Sequence, residues 1–346
     1  MIKYKTIGID LAKRKFHIAA IDQDGKLVFK KAVHRDVFLE ETVPLFPVPS
    51  HFAMEACGGC HYVAQRLKAA GHRVTLLKPK DVKPYAKSRQ KNDLNDALAI
   101  CKAASDPELK PVQAKTIQQQ ENAYLHKSRQ NAIRQRIQRS NSLMTSLLEF
   151  GYLVECGKAR FAQTYQSFLD EALEEAKISQ AVYDQMQQDG TEITQLLARE
   201  KALEKEIIRQ NKASQEAQYL LTIPGIGPIN ASLLSHKPFE TYERARDFAA
   251  SLGLVPRQNT TGGTIWLGSI SKQGDRYART MLIQAGRCLV MRAAKKDIPN
   301  NDLYRFIERL KAKGKSFNVI CVAVANKLAR IAYACLTKQE AFQGAT

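Results

Sequence analysis

Four carboxylates in the 346-residue chain are spaced for joint chemistry. Asp10 ends the β-rich run Lys5–Ile9, and Glu55 ends a second run, His51–Met54. Asp93 and Asp96 stand three apart, so a helix projects both from one face. If the two strands open at the same sheet edge, Asp10 and Glu55 come within metal-bridging distance. Oxygen-only ligands select hard cations, chiefly Mg²⁺ or Mn²⁺. Two such ions about 3.5–4 Å apart would stabilise the attacking and leaving oxygens of a phosphoryl transfer. Taken singly, each residue has an ordinary structural reading: Asp10 as a helix cap, Glu55 as a surface group, Asp93 and Asp96 as a solvated helix start. Taken together, with the strand order, they point to a metal site. Cys57-Gly-Gly-Cys60 has no second CxxC or His pair at zinc spacing, so it reads as structural. No His, Ser or Cys falls in a recognisable hydrolase motif.

The elements that must position these residues begin with three strands, Lys5–Ile9, Phe16–Ile21 and Leu27–Phe29. A helical stretch over Arg35–Leu45 follows, then the strand ending at Glu55 and a helix over Tyr62–Ala70. The strand Val74–Leu77 and a helix carrying Asp93 and Asp96 complete the order β-β-β-α-β-α-β-α. That order predicts an α/β domain with a mixed sheet flanked by helices. From Thr116 to Phe150 the pattern turns long, polar and helical, and 32 residues of it would reach about 48 Å. Residues 190–215 repeat this character after an irregular stretch, which suggests an antiparallel hairpin or an oligomerising coiled coil. The last third is mainly α-helical. It opens on Ile223-Pro-Gly-Ile-Gly-Pro228, passes through a polar loop over Pro256–Gly274, and ends in helices over Asp275–Met291 and Val319–Leu336. The expected division is therefore 1–112, 113–215 and 216–346.

Lys and Arg number 53 against 34 Asp and Glu, a formal charge of +19, which suggests a polyanionic partner, most simply nucleic acid. No apolar run approaches the ~20 residues of a membrane span, and the N-terminus has no signal-peptide core. Seven scattered cysteines do not make a disulfide framework. These features fit a protein of a reducing, cytoplasmic compartment, associated with the nucleoid rather than a membrane.

Ile7-Gly-Ile-Asp10-Leu-Ala-Lys13, Met54-Glu55-Ala56-Cys57-Gly58 and Lys91-Asn-Asp93-Leu-Asn-Asp96-Ala97 resemble the DEDD motifs of an insertion-sequence transposase family. Ile223–Pro228, Phe248–Arg257 and Ile270–Gly274 resemble that family's C-terminal transposase domain. The likeness covers nearly the whole chain, least securely 150–215. It implies a RuvC-like, RNase H-like N-terminal domain in which Asp10, Glu55, Asp93 and Asp96 hold Mg²⁺, with Mn²⁺ as a substitute. It implies a recombinase that excises and inserts its own element through a circular intermediate. It also implies a structured non-coding guide RNA encoded by the element, pairing with donor and target DNA. Finally, it implies homo-oligomers, dimers and tetramers, in which one protomer's DEDD domain meets another's transposase domain.

The family places a nucleophilic serine just after the Pro-Arg of its Gly-Leu-x-Pro-Arg motif, ahead of a glycine. Here that position carries Thr261, with Thr260 beside it; Ser269 and Ser271 are the next hydroxyls and stand as alternatives. A threonine hydroxyl can attack phosphorus once a metal or base helps remove its proton, although its β-methyl restricts the approach. Without the resemblance, Thr260-Thr261-Gly262-Gly263 reads as a turn.

For nucleic-acid contacts, Lys87, Arg89 and Lys91 precede the Asp pair. Lys127, Arg129, Arg134, Arg136 and Arg139 form a stripe on the long helix, and Arg305, Arg309, Lys311, Lys313 and Lys315 form a second cluster. Gly225 and Gly227 resemble a helix-hairpin-helix turn able to cradle a phosphate. Arg257 and Lys272 lie within the C-terminal motif blocks. Trp266 and Tyr277 either stack on bases or pack in the core. Rival readings are a site-specific invertase of the same family, a junction-resolvase-like endonuclease using metal-activated water, and a non-catalytic nucleic-acid-binding protein.

Overall fold

The computed structural model describes residues 4–86, 93–154, 158–294 and 302–344, with backbone alone at 158–163. The chain divides into two compact units, 1–120 and 121–346.

In the first unit, β1 (Thr6–Leu11), β2 (Lys15–Ile21) and β3 (Leu27–His34) run antiparallel as two hairpins. The segment expected to be helical over 35–45 is α1 (Arg35–Val37) followed by one wide turn and one tight turn, reaching Leu45. β4 (His51–Glu55) then returns parallel to β1. After α2 (Cys60–Ala69), β5 (Arg73–Leu77) adds parallel to β4, giving the sheet order β3-β2-β1-β4-β5. α3 (Pro79–Val82) and α4 (Asp93–Ala104) follow.

Side chains alternate across the sheet. Ile7, Ile9, Phe16, Ile18, Phe52 and Met54 point to one face and form a core with Val63, Ala64 and Leu67 of α2. Ala19, Ile21 and Ala53 point to the other face, against Ala97, Ala99, Ile100 and Cys101 of α4.

The second unit carries α5 (Ile117–Glu149), whose first residues belong to the unit before it, α6 (Lys158–Glu174) and α7 (Gln180–Ala213). α5 and α7 run antiparallel, as their ion pairs show: Arg129 meets Glu204, Arg136 meets Glu200, and Arg139 meets Asp189 and Glu192. This corrects the expected irregular stretch between two long helices. α6 fills it, and α7 starts ten residues earlier than the pattern suggested. Leu169 and Ala172 of α6 pack on Leu143, Leu147, Met186 and Ile193, sealing the hairpin's far end.

The remaining elements are α8 (Gln215–Leu221), α9 (Pro228–Ser235), α10 (Ala245–Ser251), β6 (Pro256–Thr261), β7 (Thr264–Ile270), α11 (Arg276–Arg292), α12 (Asp302–Ala312) and α13 (Phe317–Lys338). α13 is the hub: Val324, Ala325, Leu328, Ala329 and Ala332 are fully buried among α8, α10, α11 and α12. By length and composition α13 could also cross a membrane, contrary to the expectation that no run comes close, but in this fold it packs as the core helix.

The expected polar loop over 256–274 is instead largely a β-hairpin. Gly262 and Gly263 take φ of 57° and 82°, the paired left-handed turn that matches strand twist. The hairpin is anchored at its base. A Cβ on Gly274 would sit 1.8 Å from Ser251 O, so two motif blocks meet backbone to backbone there. The buried Arg279 clamps the same junction, its Nη1 donating to Leu252 O at 3.1 Å and Gln273 O at 2.9 Å.

Candidate metal centre and hydroxyl hairpin

Parallel pairing of β1 with β4 matches Ile7 to Phe52, Gly8 to Ala53 and Ile9 to Met54. Continued by one step, the register sets Asp10 abreast of Glu55 on the sheet face opposite the Ile7–Ile9 core. Asp10 lies within β1 rather than beyond its end, because Leu11 still pairs with Phe16 of β2. On the other side of β1, Asp10 pairs with His17. Residues paired across antiparallel strands share a face, so His17, Asp10 and Glu55 form a row over three strands.

α4 crosses that same face, starting at Asp93. Its approach is set at Gly8, where an added Cβ would lie 2.2 Å from Ala97 O and 2.7 Å from Cys101 Sγ. The Cys101 thiol takes the place a side chain would need. It accepts from Gly8 N at 3.0 Å and donates toward Ala19 O at 3.2 Å; burial pushes its pKa up to about 12, so it stays protonated. Helix and strand therefore touch through the Ala97 carbonyl and the Cys101 thiol, and the first turn of α4 brings Asp93 and Asp96 to the carboxylate row.

The electrostatics agree with this placement. Burial raises the Asp10 pKa, and the charges of Asp96 and Asp93 raise it further, with His17 acting in the opposite direction. Burial raises the Glu55 pKa as well, followed by the charges of Asp10 and Asp96. Ligand atoms of Asp10, His17 and Asp93 all lie within 4.8 Å of one another. His17 Nδ1 is 3.4 Å from Asp93 Oδ2, buried, and without a hydrogen-bond partner among the described residues. Half-buried carboxylates that repel one another, beside an unsatisfied imidazole nitrogen, fit a divalent cation, which would relieve both strains.

The sequence pattern does not single out His17. Counting outward from Lys13-Arg14 at the tip of the first hairpin would have paired it with Asp10.

In the second unit, Thr260 and Thr261 end β6, exposed beside the Gly262-Gly263 turn. Thr260 Oγ1 accepts from Gln258 Nε2 at 3.1 Å. Ser269 is exposed on β7, and Ser271 N donates to Val255 O at 2.8 Å. Trp266 is 68% exposed, between the exposed Ile265 and Leu267, so it is not a core residue. Tyr277 is held inside, its ring 5.9 Å from that of His126 and its hydroxyl accepting from Arg129 at 3.5 Å.

The basic residues divide. Arg129 and Arg136 are largely buried and Arg139 is exposed, yet all three face acids of α7; Lys127 and Arg134 are exposed. Arg305 pairs with Asp302 and Lys311 with Glu308, whereas Arg309 lies over the Phe306 ring. Lys313, Lys315, Arg257 and Lys272 are exposed, Lys272 with a positive φ of 55°. Gly225 and Gly227 lie in the turn from α8 to α9; Gly225 has a φ of 85°, and Gly227 precedes Pro228 at the helix start. Lys87, Arg89 and Lys91 lie outside the described residues.

Comparison with known proteins places this geometry. The DEDD-type IS110 transposase model matches residues 7–151, and the model described as Transposase IS116/IS110/IS902 family matches 217–300. A probable family 20 transposase of Pseudomonas aeruginosa is 38% identical, over 97% of this chain and 98% of its own. The chain belongs to the IS110 family of insertion-sequence transposases. A transposase for insertion sequence element IS1328 of Yersinia enterocolitica is 36% identical over 97% of this chain and 98% of its own. The transposase for IS1111A of Coxiella burnetii is 34% identical, over 98% and 91%. As a member of the IS110 family, the chain is a DNA-processing enzyme. All four carboxylates fall within the first family match, and Thr260 and Thr261 within the second.

Proposed function

We propose that this transposase cuts and rejoins DNA using the carboxylates of its first unit and a hydroxyl of the β6–β7 hairpin. The observation that carries the reading is the row of Asp10 and Glu55 at matched parallel register, with the start of α4 bringing Asp93 and Asp96 to it. The sheet order β3-β2-β1-β4-β5, with three antiparallel strands and then parallel additions, supports an RNase H-like, RuvC-like fold for this unit. Asp10, Glu55, Asp93 and Asp96 would hold the divalent cation, Mg²⁺ or Mn²⁺. When bound, it supplies neutralisation of phosphate charge and activation of the attacking oxygen.

Thr261 is the proposed nucleophile. It is exposed at the hairpin tip, whereas Thr260 already accepts a hydrogen bond and Ser271 lies at the hairpin base, just past the end of β7. Its hydroxyl releases a proton to solvent as Oγ bonds to phosphorus, the phosphorus–oxygen bond to the leaving deoxyribose breaks, and the departing oxygen takes up a proton from solvent. Lys127, Arg134, Arg257, Lys272, Arg309, Lys313 and Lys315 are exposed cations suited to phosphate backbones. With the +19 charge, they support a protein that holds DNA together with an element-encoded guide RNA, as a homo-oligomer. The three-part division 1–112, 113–215 and 216–346 is part of this proposal; its second boundary falls between the two family matches, whereas the first match continues past 112 to 151.

The test is strand exchange on the element's own ends. Thr261→Ala should abolish joining and the phosphothreonyl–DNA adduct that mass spectrometry maps to this residue. Cleavage without any covalent adduct would favour a metal-and-water endonuclease instead. RNase-insensitive recombination would remove the guide.

A further inference from the structure

The carboxylate row includes a fifth residue with the wrong chemistry for a bystander. His17 lies opposite Asp10 across the β1–β2 pair, on the sheet face that α4 covers. Its Nδ1 is buried, makes no hydrogen bond among the described residues, and stands 3.4 Å from Asp93 Oδ2. A buried ring nitrogen that makes no hydrogen bond is unfavourable, and a cation shared with the nearby Asp93 carboxylate would satisfy it. The ligand atoms of His17, Asp10 and Asp93 lie within 4.8 Å of one another. Around a six-coordinate ion with bonds of about 2.1 Å, opposite ligands stand roughly 4.2 Å apart and adjacent ones roughly 3 Å, so side-chain rotation would bring the three atoms to ligand distance. Asp96 acts by charge on both Asp10 and Glu55, and the group whose ligand atoms come within 4.8 Å of one another among the described residues is the one that contains the imidazole.

We propose that His17 supplies an imidazole nitrogen to the cation shared by Asp10 and Asp93, biasing that position toward Mn²⁺ and other first-row transition ions over Mg²⁺. The inference rests on the four-carboxylate reading above. Imidazole is a softer donor than carboxylate, and Mg²⁺ gains little from it, whereas transition ions gain a strong bond.

The experiment loads the full chain with Mn²⁺ alone and records pulsed electron paramagnetic resonance. The expected result is ¹⁴N modulation from a directly bound histidine. It should vanish in His17→Gln while Mn²⁺ still binds, with the Mn²⁺-to-Mg²⁺ affinity ratio falling about tenfold. Bound Mn²⁺ without nitrogen coupling in the unmodified chain overturns the proposal for His17 and leaves the carboxylate site standing. An unchanged affinity ratio in His17→Gln does the same. Mn²⁺ binding that survives Asp10→Asn undiminished overturns the carboxylate reading itself, and this proposal with it. The unmodified chain alone decides the main question, so a poorly folding variant does not blunt the test.

Discussion

Gly8→Ala tests whether the contact of α4 with β1 sets the site. The added methyl would lie 2.2 Å from Ala97 O, whereas ordinary contact begins at 3.4 Å. Strand and helix must therefore part by the difference, about 1.2 Å, because the obstacle is helix backbone rather than a flexible side chain. Ala97 directly follows Asp96 on α4, and Asp10 is two residues from Gly8 along β1, so the displacement passes to the carboxylates nearly undiminished. Misplacement of a reacting group by about 1 Å costs on the order of 10²-fold in rate. The expected outcome is a chain that folds, with far-ultraviolet circular dichroism like the parent's. Strand exchange should fall about 100-fold, and Mn²⁺ affinity measured by calorimetry should weaken. Gly58→Ala serves as control, since a Cβ there meets nothing within 4 Å and should leave both readouts alone. Parental exchange and Mn²⁺ binding in Gly8→Ala would refute the claim that this contact positions the metal ligands.

Two further predictions concern the second unit. His126 is 2% exposed, its Nε2 3.0 Å from Ser232 Oγ, which also accepts from Asn122 at 2.6 Å. Burial, then Arg129, His236 and Lys237, push its pKa from 6.5 down to about 4, with Asp275 opposing. Between those values the unfolded chain holds a proton that the folded one refuses, so stability falls as pH drops. From about pH 7.5 to pH 5 this group should account for roughly 2 kcal/mol, seen as urea-unfolding loss in the parent that is missing from His126→Gln. An equal loss in both would refute it. Arg136 and Glu200 form a buried pair at 3.3 Å. Arg136→Met alone should cost about 3–5 kcal/mol, and adding Glu200→Leu should recover most of it, as a double-mutant cycle in chemical denaturation would show.

The carboxylate row was legible because short, largely apolar runs lead into Asp10 and Glu55, and because i,i+3 spacing puts Asp93 and Asp96 on one helix face. His17 was hidden in an ordinary alternating strand, Lys15–Ile21, where only the hairpin register gives it meaning. The Pro256–Gly274 segment read as a loop since its glycines were counted as breakers. Thr-Gly-Gly-Thr between β-branched residues is better read as a two-residue hairpin turn. α6 escaped notice because its packing partners, Leu143, Leu147 and Met186, are brought to it by long-range folding. The arginine stripe of α5 was visible. That three of its members face acids of α7 depends on an antiparallel pairing 50 to 75 residues away in the chain.

The charged seam between α5 and α7 also complicates an experiment that workers on any basic DNA enzyme would run first. Raising ionic strength displaces a polyanion by diluting the entropy gained from released counterions. The same salt screens the exposed Arg139 contacts to Asp189 and Glu192, while the buried Arg136–Glu200 pair is screened far less. Added salt should thus soften one end of the helical hairpin as it strips nucleic acid away. A log–log slope of affinity against salt, taken at face value, would overcount the phosphates this transposase touches. An Arg139→Gln chain, already loosened at that seam, provides the correction.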